Sequence, residues 1–163
     1  MDKFNLKGKN AIITGAGSGI GRAIALNFAS AGAIVHALEL NEEAGHSLVS
    51  EITEAGGKAQ YYICDMTQQV GVKLVVDAIA DNGGVDVLIN NAGIAHVGNI
   101  EGTSEADLDR VYAVNVKGVY NGMYACIPHM KAKGGVILNL ASVASTVGIA
   151  DRFAYSMSKG AVL

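Results

Sequence analysis

The protein has 163 residues, of which half are hydrophobic and 17% are charged, and its formal net charge is -3. Its length is typical of one domain, and so much apolar surface excludes a mostly disordered chain. The mild acidity argues against nucleic acid as a partner, because basic faces usually bind it.

The sequence shows no signal for a membrane, for secretion or for a metal. No apolar run approaches the roughly 18 residues that a membrane span needs, and no apolar signal core follows Met1 to Asn5. Cys64 and Cys126 have neither metal-ligand spacing nor the density of a disulfide framework, which favours a reducing compartment. We therefore expect a soluble, cytoplasmic domain without a metal site.

Short apolar segments that predict β-strands alternate along the chain with longer segments of helical period. The predicted strands are Asn10–Thr14, Ile34–Glu39, Ala59–Cys64, Val85–Asn90 and Val136–Ala141. The predicted helices run from about Ile20 to Ala31 with Gly32 closing the helix, from the cap Asn41, from about Thr67 to Asp81, from Thr103 or Ser104 to about Lys131, and from about Tyr155. Strands of this composition suit burial on both faces, as in a parallel sheet covered by helices.

This alternation predicts an α/β fold: a doubly wound, Rossmann-like parallel sheet with helices on both faces. The dinucleotide-binding form has the strand order 3-2-1-4-5-6, so the sequence contains five strands and lacks the carboxyl-terminal one. The helical pattern near Tyr155 is still apolar at Leu163, where the sequence stops. We expect residues 1–163 to form a single dinucleotide-binding domain that is incomplete at its carboxyl end.

A glycine-rich loop from Thr14 to Arg22 joins the first strand to the first helix. Gly15 allows a tight turn, Gly19 allows a pyrophosphate to approach the backbone, and Gly21 permits close helix–strand packing. The helix then offers free N–H groups and partial positive charge to phosphates. A glycine-rich turn without a ligand is the alternative, but the strand before the loop and the helix after it favour a dinucleotide.

Glu39 ends the second strand, 18 residues after Gly21. A carboxylate at this point accepts hydrogen bonds from a ribose 2′-OH and repels a 2′-phosphate. A solvated strand end is the alternative interpretation of Glu39 taken alone. Together with the glycine loop, Glu39 favours NAD over NADP.

Further motifs follow in order: Asp65 after the third strand, Asn90-Asn91-Ala92-Gly93, Asn115, Ser142 and Tyr155-x-x-x-Lys159. With the loop Thr14-Gly-x-x-x-Gly-x-Gly and the 13-residue step from Ser142 to Tyr155, they resemble the short-chain dehydrogenase/reductase family. The resemblance extends from about Leu6 to Leu163. It implies an oxidoreductase that transfers a hydride between a secondary alcohol and NAD.

The resemblance also implies roles for particular residues. Those implied for cofactor binding are Gly15, Ser18, Gly19, Ile20, Gly21, Glu39, Asp65, Asn91, Ala92, Gly93, Tyr155 and Lys159. Those implied for catalysis are Asn115, Ser142, Tyr155 and Lys159. In this scheme Tyr155 is the general base in alcohol oxidation and the general acid in reverse. Ser142 binds the reacting oxygen, Asn115 holds a water in a proton relay, and Lys159 also holds the nicotinamide ribose.

Several of these residues also have ordinary structural interpretations. Asp65 is equally suited to capping a turn, and Asn-Asn-Ala-Gly to forming one. Tyr155 and Lys159 share a helix face because they are i and i+4, and the lysine cation stabilises a nearby tyrosinate. An exposed Tyr–Lys pair would be the simpler interpretation if the glycine loop and Ser142 were absent.

Arg152 lies three residues before Tyr155, so we expect it near the mouth of the catalytic cleft. Its planar, permanently charged guanidinium suits bidentate capture of a carboxylate. The stretch Ala141–Arg152 resembles that of family members that oxidise hydroxy acids and deoxy-sugar acids, which implies substrate contacts from Ser142, Arg152 and Tyr155. A surface arginine paired with Asp151 or solvent is an equally good interpretation.

Three functions compete at this point. The first is an NAD-dependent dehydrogenase of a hydroxy acid or sugar-derived alcohol, forming a homodimer or homotetramer as the resemblance implies. The second is an NADPH-type carbonyl or 3-oxoacyl-thioester reductase, against which Glu39 argues. The third is a non-catalytic nucleotide-binding fragment, because family members place their substrate region after Lys159; we expect the 163-residue piece alone to be poorly soluble or inactive.

Overall fold

The structure is a computed structural model that describes residues 5–163; Met1 to Phe4, part of the segment without a signal core, lie outside the described residues. The strands are β1 (Asn10–Thr14), β2 (Ile34–Glu39), β3 (Lys58–Ile63), β4 (Val87–Asn90) and β5 (Val136–Asn139). The helices are α1 (Gly19–Ser30), α2 (Glu42–Glu54), α3 (Gln69–Asp81), α4 (Glu105–Tyr112), α5 (Gly118–Met130) and α6 (Phe153–Val162). None of the helices within 5–163 is long and apolar enough to cross a membrane.

The strands form one parallel sheet in the order β3-β2-β1-β4-β5. This confirms the predicted doubly wound, Rossmann-like α/β fold. The bounds of β1 and β2 are those predicted, β3 begins one residue earlier, β4 begins at Val87 rather than Val85, and β5 ends at Asn139 rather than Ala141. The strand order reverses between β1 and β4, which is where ligands bind in sheets of this kind.

Each face of the sheet carries its own hydrophobic core. On one face Ala11, Ile13 and Val35 pack with buried residues of α1 and α2. On the other face Ile12 and Leu88 pack with buried residues of α3 and α5. The alternation of Ile12 and Ile13 between the two cores follows from the two-residue period of a strand.

Burial on both faces was predicted for all five strands, and it is wrong for the two at the edges. β1 and β4 are fully buried, but β3 and β5 alternate between exposed and half-buried positions. In β5, Val136 and Leu138 are 61% and 50% exposed. An apolar composition indicates that a segment forms a strand of a sheet. It does not indicate whether that strand is central or at an edge, and so how much of it is buried.

Local signals set the helix ends. The Asn41 side chain accepts a hydrogen bond from the Ala44 amide at 2.9 Å and caps α2, as predicted. Ser104 caps α4 in the same way. Gly32 closes α1 with a φ of +91°, a conformation that glycine adopts without steric cost.

The long predicted helix is interrupted. α4 ends at Tyr112, a π-helical segment covers Ala113–Lys117, and α5 continues from Gly118. This segment carries Asn115, which is completely buried. Short π-helical insertions often occur at functional sites because they redirect side chains within a helix.

A buried histidine of β2 is hydrogen-bonded to the first residue of β1. His36 in β2 is 5% exposed, and its Nε2 lies 3.0 Å from the Oδ1 of Asn10. The Asn10 Nδ2 donates to the Gly83 carbonyl, so Oδ1 faces the ring and Nε2 carries the hydrogen. Burial lowers the pKa of His36 from 6.5 to about 4, because the charged ring is poorly solvated there.

We expect the stability of the fold to fall as the pH drops from about 6.5 to about 4. In this window the unfolded chain binds a proton at His36 and the folded chain does not, at a total cost of about 3 kcal/mol. Urea unfolding across this pH range measures the effect. His36→Gln should flatten the slope, whereas His46→Gln, at an exposed position in α2, should leave it unchanged; equal slopes for both variants would contradict the assignment.

Candidate active site

A cleft of about 380 Å³ opens at the carboxyl ends of the central strands. The residues that line it come from the glycine loop and the start of α1, from the ends of β2, β3 and β4 with the segments that follow them, and from the π-helical segment. They are Gly15, Ser18, Gly19, Ile20, Leu38, Glu39, Leu40, Cys64, Asp65, Met66, Thr67, Asn91, Ala92, Gly93, Ile94 and Val114. Of the residues implied for cofactor binding, all line the cleft except Gly21, Tyr155 and Lys159.

The glycine loop is tightly packed, and two of its glycines have positive φ angles. Gly15 has a φ of +62°, and its amide donates to the Leu38 carbonyl at 2.8 Å. A Cβ at Gly21 would lie 2.2 Å from the Gly15 carbonyl oxygen and 2.4 Å from the Asn91 Nδ2. Gly19 has a φ of +53° with open space beside it. Gly15 and Gly19 therefore present backbone to the cleft beside Ser18 and Ile20, and Gly21 allows the loop to pack tightly against Asn91.

The amino end of α1 has the features of an anion site. The Ser18 side chain makes no cap hydrogen bond, and the first turn has no acidic residue. In contrast, α2 is capped by Asn41 and begins with two glutamates. α3 also lacks a side-chain cap, so a missing cap alone does not distinguish α1. What distinguishes α1 is that its amino end lies at the cleft, where its free N–H groups and positive dipole can bind a pyrophosphate.

Thr14 connects the two strands on either side of the topological switch point. Its Oγ1 accepts hydrogen bonds from the amides of Asn91 and Ala92, at 3.1 and 2.9 Å. The Asn91 Nδ2 in turn donates to the carbonyls of Thr14 and Gly15, at 2.9 and 3.0 Å. Asn91 thus lines the cleft and also holds the glycine loop in place.

Backbone amides fix the Glu39 carboxylate at the end of β2. Oε2 accepts from the Gly17 amide at 3.0 Å, and Oε1 accepts from the amides of Leu40 and Asn41 at 2.8 and 3.0 Å. A carboxylate has about four acceptor positions, so roughly one remains for a ligand hydroxyl. This ordered arrangement differs from the solvated strand end that was the alternative.

The end of the cleft beside β2 and β3 is acidic. Within the described part of the chain, the lining includes Glu39 and Asp65 but no lysine or arginine. Arg22, the cation of the glycine motif, instead pairs with Glu51 of α2. The Asp65 Oδ1 accepts a hydrogen bond from the Thr67 amide at 2.9 Å, so Asp65 caps a turn, which was its alternative interpretation. Asp65 also lines the cleft.

Asn115 lies at the other end of the cleft. Its Oδ1 accepts from the Ile94 amide at 2.8 Å and its Nδ2 donates to the Ile94 carbonyl at 2.9 Å. A Cβ at Gly93 would lie 3.2 Å from this Oδ1 and 3.5 Å from the Lys159 Nζ. Gly93, Asn115 and Lys159 are therefore brought together, and a side chain at Gly93 would press closely against the Asn115 Oδ1.

Lys159 is an almost completely buried cation on α6. It is 5% exposed, and its Nζ donates to the Leu140 carbonyl at 2.6 Å. Burial lowers the pKa of this ammonium from its usual value of 10.5. An ammonium has three donors, so two remain for other partners.

Ser142 begins a 3₁₀ turn, Val143–Ser145, against which α6 packs. The Ser142 Oγ accepts from the Ala144 amide at 3.2 Å, which leaves its own hydrogen available for donation. Tyr155 lies in the first turn of α6, one turn before Lys159. The structure thus packs together the elements that carry Ser142, Tyr155 and Lys159.

Arg152 lies in a different place from most of the implied site. It lines an open groove of about 550 Å³ with Asn99, Ile100 and Met157, and this groove shares no lining residue with the cleft. Its Nη1 donates to the Asp151 carbonyl at 2.9 Å. Asp151 has a φ of +54°, in the left-handed region that non-glycine residues seldom adopt.

Sequence reasoning did not identify two residues that hold the site together. The structural role of Thr14 depends on the pairing of β1 with β4, which its own sequence position does not indicate. Ser158 is completely buried and lies between Asn115 and the main chain of Tyr155. A serine next to the motif lysine was the only signal for it in the sequence.

Comparison with known proteins gives consistent matches. The short chain dehydrogenase family matches residues 9–163. An "Uncharacterized oxidoreductase" of Thermotoga maritima is 44% identical over 161 residues, covering 98% of this chain and 64% of that protein. The D-threitol dehydrogenase of Mycolicibacterium smegmatis is 38% identical, covering 98% and 62% respectively. A structure of 7 alpha-hydroxysteroid dehydrogenase complexed with NADH and 7-oxo glycochenodeoxycholic acid has a TM-score of 0.93 and 38% identity, covering 99% of this chain and 64% of that one.

A parallel five-stranded sheet with a glycine-rich loop at its switch point defines a doubly wound, nucleotide-binding type of fold. The chain belongs to the short-chain dehydrogenase/reductase family, as the sequence motifs predicted. It spans slightly less than two thirds of the length of the relatives described above.

Proposed function

We propose that the chain forms the NAD-binding domain, and supplies the catalytic residues, of a dehydrogenase that oxidises a secondary alcohol. The observation that carries this proposal is the joint placement of Gly93, Asn115 and Lys159 at one end of a cleft whose other end begins at α1. A glycine-lined crevice, an uncapped helix end and an ordered carboxylate at β2 all fit a dinucleotide.

The residues of the chain have separable roles in this proposal. Tyr155 takes the proton of the substrate hydroxyl and returns it in the reverse reaction. Lys159 uses its remaining donors to stabilise the tyrosinate and to bind a ribose hydroxyl, and Ser142 donates a hydrogen bond to the reacting oxygen. The nicotinamide, when bound, accepts the hydride.

We place the adenosine of the cofactor at the acidic end of the cleft, beside Glu39 and Asp65. This placement supports NAD rather than NADP. We expect NADH to bind at least about tenfold more tightly than NADPH, because the Glu39 charge repels a 2′-phosphate and no cation among the described residues that line the cleft offsets it. Fluorescence titration with both cofactors measures the ratio. Glu39→Gln should reduce the preference, whereas Glu54→Gln, at the far end of α2, should not; equal affinities for NADH and NADPH would favour the reductase instead.

The substrate that we propose is a small hydroxy acid, with its carboxylate bound by Arg152. The groove beside Arg152 supports this, although the guanidinium also contacts the Asp151 carbonyl. Arg152→Ala should raise KM for a hydroxy acid about tenfold or more and change KM for a neutral alcohol less than twofold. Steady-state kinetics with a matched acid and alcohol test this; equal changes would exclude carboxylate capture by Arg152.

We also propose a homodimer or homotetramer in the cytoplasm. Tyr120, Tyr124 and Ile127 are 50%, 48% and 41% exposed on one side of α5, which is more apolar surface than a lone helix face usually shows to water. Cys64 and Cys126 are both free, which suits a reducing compartment. Sedimentation measurements of the molar mass test the oligomeric state.

A further inference from the structure

A buried hydroxyl outside the implied catalytic set connects two members of that set. Ser158 in α6 is completely buried. Its Oγ accepts a hydrogen bond from the Asn115 Nδ2 at 2.9 Å and donates one to the Tyr155 carbonyl at 2.7 Å. The hydroxyl therefore joins the π-helical segment Ala113–Lys117 to the first turn of α6.

The direction of these hydrogen bonds follows from the donors available. The Ser158 hydroxyl has one hydrogen, which is used by the Tyr155 carbonyl, so its lone pairs face Asn115. The Asn115 Nδ2 has two hydrogens, one on the Ile94 carbonyl and one on Ser158. Asn115 is fully hydrogen-bonded only with Ser158 as an acceptor, and a buried donor without an acceptor is strongly unfavourable.

A serine that bonds back to its own helix is common and does not by itself indicate a role. Ser30 at the end of α1 makes the same bond, from its Oγ to the Asn27 carbonyl at 2.8 Å, and it is exposed. Ser158 differs because it also accepts from a buried side chain of another element. Its neighbour Lys159 is held to Leu140 at 2.6 Å, so this turn of α6 is fixed from two sides.

We propose that Ser158 is a positioning residue that, through Asn115, holds the Tyr155–Lys159 turn in register with the π-helical segment. The proposal rests on the proposed function, in which that turn presents the general base and its cation. Without the hydroxyl, Asn115 turns its free donor elsewhere and the two segments separate slightly. Misplacement of a catalytic group by a fraction of an ångström lowers turnover more than binding.

The test uses the full-length chain with Ser158→Ala, Asn115→Ala, the double variant, and Ser30→Ala as the matched control. We measure NADH affinity by fluorescence, thermal unfolding, and kcat and KM for alcohol oxidation. Ser158→Ala is expected to lower kcat about tenfold while KM and NADH affinity stay within about twofold. In the Asn115→Ala background it should have almost no further effect, because its partner is already gone.

Three results would overturn the proposal: a loss in Ser158→Ala no larger than in Ser30→Ala, a full further loss in the Asn115→Ala background, or a joint loss of folding and NADH binding. The proposed function can fail separately, if the unsubstituted protein oxidises no alcohol. Amide hydrogen exchange then decides the positioning role. Ser158→Ala should increase exchange in residues 113–117 and 155–159 and Ser30→Ala should not; unchanged exchange would refute the connection.

Discussion

Replacing Tyr155 by Phe is expected to reduce kcat by about a thousandfold, because proton transfer by a positioned side chain contributes about 10²–10⁴ to the rate. The substitution removes one hydroxyl and keeps the ring, so the packing of α6 on the Val143–Ser145 turn should be preserved. NADH affinity should change less than about threefold, since the residues that line the cleft come from elements other than α6. Stopped-flow or steady-state oxidation of an alcohol, with NADH binding measured in parallel, tests this.

Tyr112 offers a control for this experiment. It lies at the end of α4, outside the residues that line the cleft, so Tyr112→Phe should leave kcat within about twofold of its original value. A Tyr155→Phe protein that keeps more than about a tenth of its activity would show that another group transfers the proton. Loss of NADH binding in the same variant would instead indicate that the hydroxyl contributes to cofactor binding or to the local structure.

Gly21→Ala is expected to abolish detectable NADH binding and to lower the free energy of unfolding by about 1–3 kcal/mol. The added Cβ would meet the Gly15 carbonyl oxygen at 2.2 Å and the Asn91 Nδ2 at 2.4 Å, so the loop and β4 must separate. Both contacts belong to the wall of the cleft, and the amino end of α1 would move with them. Calorimetric titration with NADH and urea unfolding give the two quantities.

Gly71→Ala is the matched helix substitution. Gly71 lies in the first turn of α3, and a Cβ there would meet only Gln68, at 3.9 Å. That variant should bind NADH normally and be more stable by up to about 1 kcal/mol, because alanine has less conformational entropy to lose. If Gly21→Ala behaved like Gly71→Ala, the tight packing of the glycine loop would have no part in cofactor binding.

The fold was predictable because each local signal agreed with the others. The spacing of apolar segments, the cap at Asn41 and the glycine at Gly32 all correspond to element boundaries in the structure. The exposure of β3 and β5 was not predictable from composition, because it depends on which strands lie at the edges. The π-helical segment was also missed, since one extra residue shifts the apolar spacing by a single position, which resembles the ordinary steps of three and four residues in a helix.

The candidate site was predictable only where a residue type itself has a chemical or conformational consequence. Glycines at Gly15 and Gly21 are required by backbone geometry, and a carboxylate at Glu39 is distinctive. Ser158 was not predictable, because its two partners come from a helix and from its own turn. Contacts between distant segments depend on the tertiary arrangement, which single residues do not encode.

The π-helical segment also has a consequence for how the chain can vary. One additional residue in a turn rotates everything after it by about 100° relative to a regular helix. Gly122 of α5 lies where a Cβ would be only 2.4 Å from the Asn90 Oδ1, so the side of α5 that faces β4 has no tolerance for rotation. Deleting a single residue between Ala113 and Lys117 would therefore remove Asn115 from its hydrogen bonds with Ile94 beside the cleft and direct a larger side chain at β4. The number of residues in the segment Ala113–Lys117 is consequently constrained by both the candidate site and the core. This constraint applies even at positions where the type of residue is free to vary.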